Sequence, residues 1–181
     1  MPAPDDDDEA PRLFTRRLEL IAATAELARA LATAPGELAA LLGGVELPRD
    51  WPPVALRAAH EATAAALATT PGLAGWRDWL VVQQTPATLV GAIGFAGRPD
   101  AGGAVEIGGE LLGSFQRRGY AAEAMGALID WAFAHPEVRC IRAHAPADRA
   151  ASLRLLEKSG LRHVGAGDQP GQLRFELTRP D

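Results

Sequence analysis

Asparagine is absent from this chain, and cysteine, tyrosine and lysine occur once each, as Cys140, Tyr120 and Lys158. A single cysteine excludes an internal disulfide and a thiol-rich metal site. Cys140 lies in the apolar-leaning run from Val138 to Ala145, where a thiol serves as a small buried hydrophobe rather than a nucleophile. The histidines, His60, His135, His144 and His163, show no metal-ligand spacing, so no metal is expected. No apolar run approaches the ~18 residues that a membrane span needs, so no membrane partner is expected. Basic charge is short too: the net charge is −5, which argues against a nucleic-acid partner. The segment Asp5-Asp6-Asp7-Asp8-Glu9 is the reverse of a basic signal-peptide start, and a cytoplasmic protein is the expectation. Missing asparagine, together with one lysine among 18 lysines and arginines, points to a GC-rich coding bias rather than a structural demand.

What is present is an ordinary globular composition, 48% hydrophobic and 23% charged over 181 residues, enough for one domain with a sizeable core. Residues 1–12, acidic and containing proline, hold too little apolar side chain to order themselves. A disordered tail is expected there, and a single domain over 13–181. Arg17 to Ala22 reads as a strand, and Thr24 as the N-cap of a helix over 25–33. A short helix over 37–42 stops at Gly43-Gly44, and a longer one over 54–69 follows the turn Trp51-Pro52-Pro53. From Trp79 the period changes. Residues 79–83, 89–95 and 105–112 read as three strands joined by short hairpin connections. A clear amphipathic helix over 121–133 follows, then a strand over 138–145, a helix over 148–159 and a strand over 173–177. This order predicts an α/β (α+β) fold, a mixed and mostly antiparallel sheet of about six to seven strands flanked by helices.

One junction carries chemistry. Gln116-Arg117-Arg118-Gly119-Tyr120-Ala121 lies where a strand-like run gives way to a helix. Successive backbone N–H groups point outward at such a junction, and the helix dipole adds positive charge. Gly119 permits a conformation or a close approach that a side chain would block, small Ala121 leaves the first turn open, and Arg117 and Arg118 add cations. This is a pyrophosphate cradle.

The stretch matches the Gln/Arg-x-x-Gly-x-Gly/Ala signature of the GNAT superfamily, the acyl-CoA-dependent N-acyltransferases, and the chain resembles that family from about residue 79 to about residue 178. Glu106 to Leu112 looks like the strand before the signature, Glu123-Ala124 like the pair after it, and Ala150 to Leu161 like the late Ala-Ser…Leu-Glu-Lys-x-Gly helix. The likeness is to the branch that includes ribosomal-protein N-terminal acetyltransferases and small-molecule acetylators.

The resemblance implies acetyl transfer from acetyl-CoA to an amine acceptor by a monomer or homodimer. It implies cofactor contacts from Leu111, Leu112, Gly113, Gln116, Arg117, Arg118, Gly119, Tyr120, Ala121, Arg149 and Ser152. Freed backbone groups near Leu111, Leu112 and Gly113 would meet the pantetheine arm and thioester. Gly108-Gly109 implies either a bulge or a close ligand approach in that strand. Glu106, at the strand's start, is the first candidate for general base, with His144 as its rival; a surface charge or a structural acceptor is the plain alternative for Glu106.

Two positions depart from the family pattern. Arg149 stands where many members have Asn, and Leu156 where some have a Tyr general acid. Arg149 is expected to find its counter-anion in the CoA phosphates. These departures leave open a non-catalytic CoA-binding or sensor module with the same fold. Trp51, Trp76 and Trp79 read either as an acceptor pocket or as packing.

Overall fold

The computed structural model describes residues 10–180. In chain order its elements are β1 (Arg12–Phe14), β2 (Leu18–Ala22), α1 (Ala25–Thr33), α2 (Pro35–Leu41), α3 (Arg57–Thr69), β3 (Asp78–Gln84), β4 (Ala87–Phe95), β5 (Ala104–Leu111), α4 (Tyr120–Phe133), β6 (Cys140–Pro146), α5 (Ala150–Lys158), β7 (Arg162–Ala166) and β8 (Gln172–Thr178). The strands form one sheet in the order β1-β2-β3-β4-β5-β6-β8-β7. Every neighbouring pair is antiparallel except β5 with β6. That single parallel contact arises because α4 carries the chain back across the sheet between the two strands.

Local chemistry accounts for most boundaries. The Thr24 hydroxyl accepts the Leu27 N–H at 3.1 Å and caps α1, which buries Leu27, Ala28 and Leu31. Pro35 opens α2, and Gly43 and Gly44, at φ 74° and 87°, end the segment after it. The helix expected over 54–69 begins as a 3-10 turn, Val54–Leu56, before α3.

Two strands escaped the sequence pattern, both at edges. β1 has three residues and β7, Arg-His-Val-Gly-Ala, is almost wholly exposed and has a register shift between His163 and Gly165. Edge strands need no alternating apolar face, so periodicity does not reveal them. Of the expected tail, residues 1–9 lie outside the described residues, and Arg12 belongs to β1.

Two apolar clusters hold the sheet between helices. On one face Val105, Ile107, Ile141, Ala143 and Phe175 pack with Ala124, Met125 and Leu128 of α4 and Leu156 of α5. On the other, Leu80, Val82, Leu89 and Ala92 pack with α1, Leu38 of α2 and Leu67 of α3. The tryptophans in question are packing residues: Trp51, Trp76 and Trp79 are all buried, and the Trp79 indole donates to the Gly75 carbonyl at 2.7 Å. Helices α1–α3 pack against β2 to β4, and the 3-10 turn Val54–Leu56 before α3 reaches β5. The same face of β5, β6 and β8 carries Glu106, Arg142, His144, Arg174 and Glu176, with no α-helix packed on it.

Of the two Gly108-Gly109 alternatives, the bulge is absent. The β4–β5 register runs unbroken from Gly91↔Leu111 to Phe95↔Ile107, so this strand holds no bulge. Gly109 has φ 152°, and a Cβ there would lie 2.2 Å from the Ala92 carbonyl oxygen. The close approach it permits is that of β4's backbone, while at Gly108 a Cβ would meet open space.

Candidate active site

The cradle forms where β5 runs out. A 3-10 turn, Gly113–Phe115, leads into the loop, and Gly119 at φ 81° precedes α4. Arg117 is the one non-glycine residue with positive φ among the described residues, at 61°. Alternation of left-handed and ordinary conformations turns consecutive N–H groups to one side, forming an anion-binding concavity. No acceptor among the described residues takes the amides of Arg117 to Ala122; the first to bond back is Glu123, to the Gly119 carbonyl at 3.1 Å. Gln116 closes the loop by donating from Nε2 to the Leu111 carbonyl at 2.9 Å.

Beside the cradle opens a cleft of about 790 Å³, lined by Gly109, Glu110 and Leu111 of β5, by Gln116, Arg117, Gly119, Ala121 and Met125, and by Arg149, Ser152 and Lys158 from α5 and its start. The unpaired amides and the cations fit the phosphates of a CoA-type donor.

Other expected contact residues make bonds or ring contacts within the protein. Tyr120 turns its hydroxyl inward to Gln83 Oε1 at 2.9 Å, so only its amide remains for the cradle. The Arg118 guanidinium lies 5.3 Å from the Phe115 ring centroid, outside the cleft lining. Leu112 is committed as well: its N–H donates to the Val90 carbonyl and its carbonyl accepts from Phe115, both at 2.9 Å. Of the freed groups expected there, the Gly113 amide has no acceptor among the described residues, and the Leu111 amide points away from β4, because Leu111 and Gly91 flank the bonded Leu112–Val90 pair. The Leu111 carbonyl is held by Gln116. Arg149 already faces an anion within the protein, Glu110 Oε1 at 3.9 Å, so the helix dipole does not by itself demand a phosphate.

Sequence reasoning missed Arg17. Its Nε donates to Glu123 Oε2 at 2.7 Å, its backbone N–H to Glu123 Oε1 at 2.9 Å, and its Nη1 to the Arg118 carbonyl at 2.9 Å. The guanidinium also lies 4.5 Å from the Tyr120 ring centroid. Thr15 completes the contact through its hydroxyl on Glu123 Oε1 at 2.6 Å. Burial alone would raise the Glu123 carboxyl, but the bonds from Thr15 and Arg17, with Arg17's charge, outweigh it and hold the group below the ordinary glutamate range. No local signal predicts a bond between residues 106 positions apart.

The second feature lies at the parallel contact. Strands β5 and β6 pair only through Ala104↔Cys140, Val105↔Ile141 and Glu106↔Arg142. Beyond that point they share no pairing, and the sheet opens as a V. At its vertex the two candidate bases meet: Glu106 Oε1 lies 3.0 Å from His144 Nδ1. The His144 side chain is 8% exposed, and its buried Nε2 has no hydrogen-bond partner; Asp168 stands 3.7 Å away. Strand alternation sets their side of the sheet. Val105, Ile107 and Ala143 face α4, so Glu106 and His144 face the opposite, helix-free side. Cys140 is no rival nucleophile, because burial and then Glu176's charge push its thiol up.

A mixed sheet that opens between two parallel strands, beside an amide cradle at a helix start, defines the acyl-CoA-dependent N-acetyltransferases. The comparisons agree. Residues 17–162 match the acetyltransferase (GNAT) domain, and the chain belongs to that family. It is 34% identical over 125 residues to the uncharacterized N-acetyltransferase YjdG of Bacillus subtilis (strain 168), spanning 68% of this chain and 74% of that protein. RimL, a ribosomal L7/L12 alpha-N-protein acetyltransferase solved with coenzyme A, superposes with a TM-score of 0.67 at 20% identity, covering 93% of this chain and 98% of that one. Mycobacterium smegmatis RimJ in complex with CoA-disulfide gives 0.62 at 16% identity, covering 89% and 81%. At those identities the two structures show the shared fold. No helix among the described residues is long and apolar enough to cross a membrane.

Proposed function

We propose that the protein transfers the acetyl group of acetyl-CoA to a primary amine, on a small molecule or at a peptide or protein N-terminus, by direct attack. The observation that carries this reading is the Glu106–His144 pair at the vertex of the opened sheet, 3.0 Å apart and on the face opposite α4. When bound, acetyl-CoA supplies a thioester carbonyl and a thiolate leaving group. The cradle amides of Arg117 to Ala122, with the cations of Arg117, Arg149 and Lys158, hold its phosphates on the helix side.

The amine approaches from the other side. Glu106 fixes the imidazole with hydrogen on Nδ1, which leaves Nε2 as the acceptor for the amine's proton. The amide C–N bond forms as the C–S bond breaks. Water provides the thiolate's proton, because Leu156 is buried in the core and the Tyr120 hydroxyl is held by Gln83.

With no acid at Leu156 and the Tyr120 hydroxyl committed, a second reading is also favoured, a CoA-binding module without turnover. One set of measurements separates them. Under the catalytic reading, Glu106→Gln and His144→Gln each lower kcat by roughly 10²-fold with little change in CoA affinity by calorimetry. Wild-type protein that binds CoA but releases no thiol with any amine supports the module instead. A large loss in one variant with none in the other assigns the base to that residue alone.

A further inference from the structure

The helix-free face of β5, β6 and β8 holds a second cavity, of about 220 Å³, lined by Glu106 and His144 together with Arg98, Arg142, Arg174 and Asp168. It is smaller than the ~300–1,000 Å³ of typical ligand pockets. It admits a molecule, or a part of one, of about amino-acid size. His144 ties this cavity to the V of the sheet, and its Nε2 is one of two buried polar atoms of the lining without a hydrogen-bond partner.

The charges around the cavity are unequally committed. Arg142 is engaged by Glu176 at 2.8 Å and lies 3.6 Å from Asp100. Asp100 is in turn held by the amides of Gly102 and Ala104, at 2.8 and 3.0 Å. Glu106 is engaged by His144. Arg174 and Arg98 are less well matched. Arg174 Nε is buried without a hydrogen bond, and its nearest carboxylate, Glu176 at 3.7 Å, is already bonded to Arg142. Arg98 donates to the Gly72 carbonyl at 2.7 Å, and no carboxylate among the described residues pairs with it. His144 and Arg174 are Cα partners across β6 and β8, so the unpaired ring nitrogen and the under-paired guanidinium stand side by side on one face. Asp168, 75% exposed, completes the rim beside His144.

We infer that the acceptor is a small primary amine that also carries a carboxylate, an amino acid or close analogue, with its amine at His144 Nε2 and Asp168 and its carboxylate at Arg174 and Arg98. This rests on the acetyl-transfer reading above and narrows it. Two guanidiniums that stay charged at every working pH repel polyamines and aminoglycosides. A peptide N-terminus, whose own carboxyl is an amide, leaves both arginines unmatched. A carboxylate satisfies them with charge-assisted hydrogen bonds, which are the strong ones.

The test uses matched acceptors: the protein amino acids and their C-terminal amides, with spermidine and a free-amine tripeptide, in acetyl-CoA thiol-release assays on the full chain. The expected result is a kcat/KM for the best amino acid at least about tenfold above that of its amide, the size of a charged hydrogen bond. Arg174→Gln and Arg98→Gln should each cut that acid-to-amide ratio several-fold, a change that a structural lesion alone does not produce. Turnover of amides, spermidine or the tripeptide equal to or above that of the acids overturns the inference and leaves acetyl transfer standing. So does an acid preference that both arginine variants keep. Absence of turnover with every amine defeats the acetyl-transfer reading itself, and this inference with it.

Discussion

Burying an imidazole with one ring nitrogen unpaired costs free energy that packing elsewhere must offset. His144 is such a residue, and the Glu106 carboxylate at 3.0 Å orients it. Arg17 shows the complementary case, a cation outside the cleft that organises it. Its bonds to Glu123 and to the Arg118 carbonyl brace the cradle from the turn just before β2. Arg17→Ala should therefore raise the acetyl-CoA KM by about tenfold, the loss of one or two charged hydrogen bonds, with kcat changed less. S-acetyl-pantetheine, a donor without the pyrophosphate, should show little difference between variant and wild type. An equal loss with both donors would mean that Arg17 serves general folding rather than the cradle.

Among the elements, α4 and α5 each present a helix start to the cleft, and each start carries an ion pair to another part of the fold. At α4 the pair is Glu123 with Arg17. Glu123 has a folded pKa below its ordinary 4.5, so its contribution to stability is present above that value and lost as pH falls through the folded one. Glu123→Gln should cost about 1.5–3 kcal/mol at neutral pH, and the gap should close on acidification as the wild-type carboxylate also becomes neutral. Urea unfolding at pH 7 and at about pH 3 checks this; a gap independent of pH would be inconsistent with the linkage.

At α5 the pair is Arg149 with Glu110 at 3.9 Å, with the guanidinium 61% exposed. So loose a contact contributes little by itself and leaves the cation available to the cleft. Arg149→Ala should raise the apparent constant for acetyl-CoA more than that for the acceptor, measured by varying each in turn. The reverse order would place Arg149 on the acceptor's path.

For the whole molecule, the sheet separates two entrances. The cradle opens on the side of α4 and α5, and the Glu106–His144 pair on the helix-free side, joined where β5 and β6 part. Under the proposed reaction both substrates are then bound together, and no thiol of suitable character lies at the vertex, since burial raises the Cys140 thiol. Initial-rate plots at several fixed acetyl-CoA concentrations should intersect, and Cys140→Ser should retain activity. Parallel lines, the pattern of a covalent acetyl-enzyme, would exclude direct attack.

How much of this was legible in the sequence depends on the range of the interaction behind each feature. The cap at Thr24, the stop at Gly43-Gly44, the amphipathic helix after the signature and the cradle itself rest on contacts within a few residues. Propensity and periodicity report such contacts directly. Strands β1 and β7 were not legible, because an exposed edge imposes no apolar alternation. The reason for Gly109 was not legible either, since the constraint is the backbone of a neighbouring strand, 2.2 Å from where its Cβ would be.

Glu106 and His144 were each nameable as candidates from residue type and position. That they form one pair, rather than compete, follows from a parallel contact that breaks off after three residue pairs. Arg17's reach to the cradle, Tyr120's turn toward Gln83 and the charge pattern at Arg98 and Arg174 likewise join residues far apart in the chain. The sequence by itself determined most of the element types and the open turn before α4, because those depend on local backbone and side-chain chemistry. Only the tertiary structure decided which distant side chains share a site, because that is set by strand register and by the face each residue occupies.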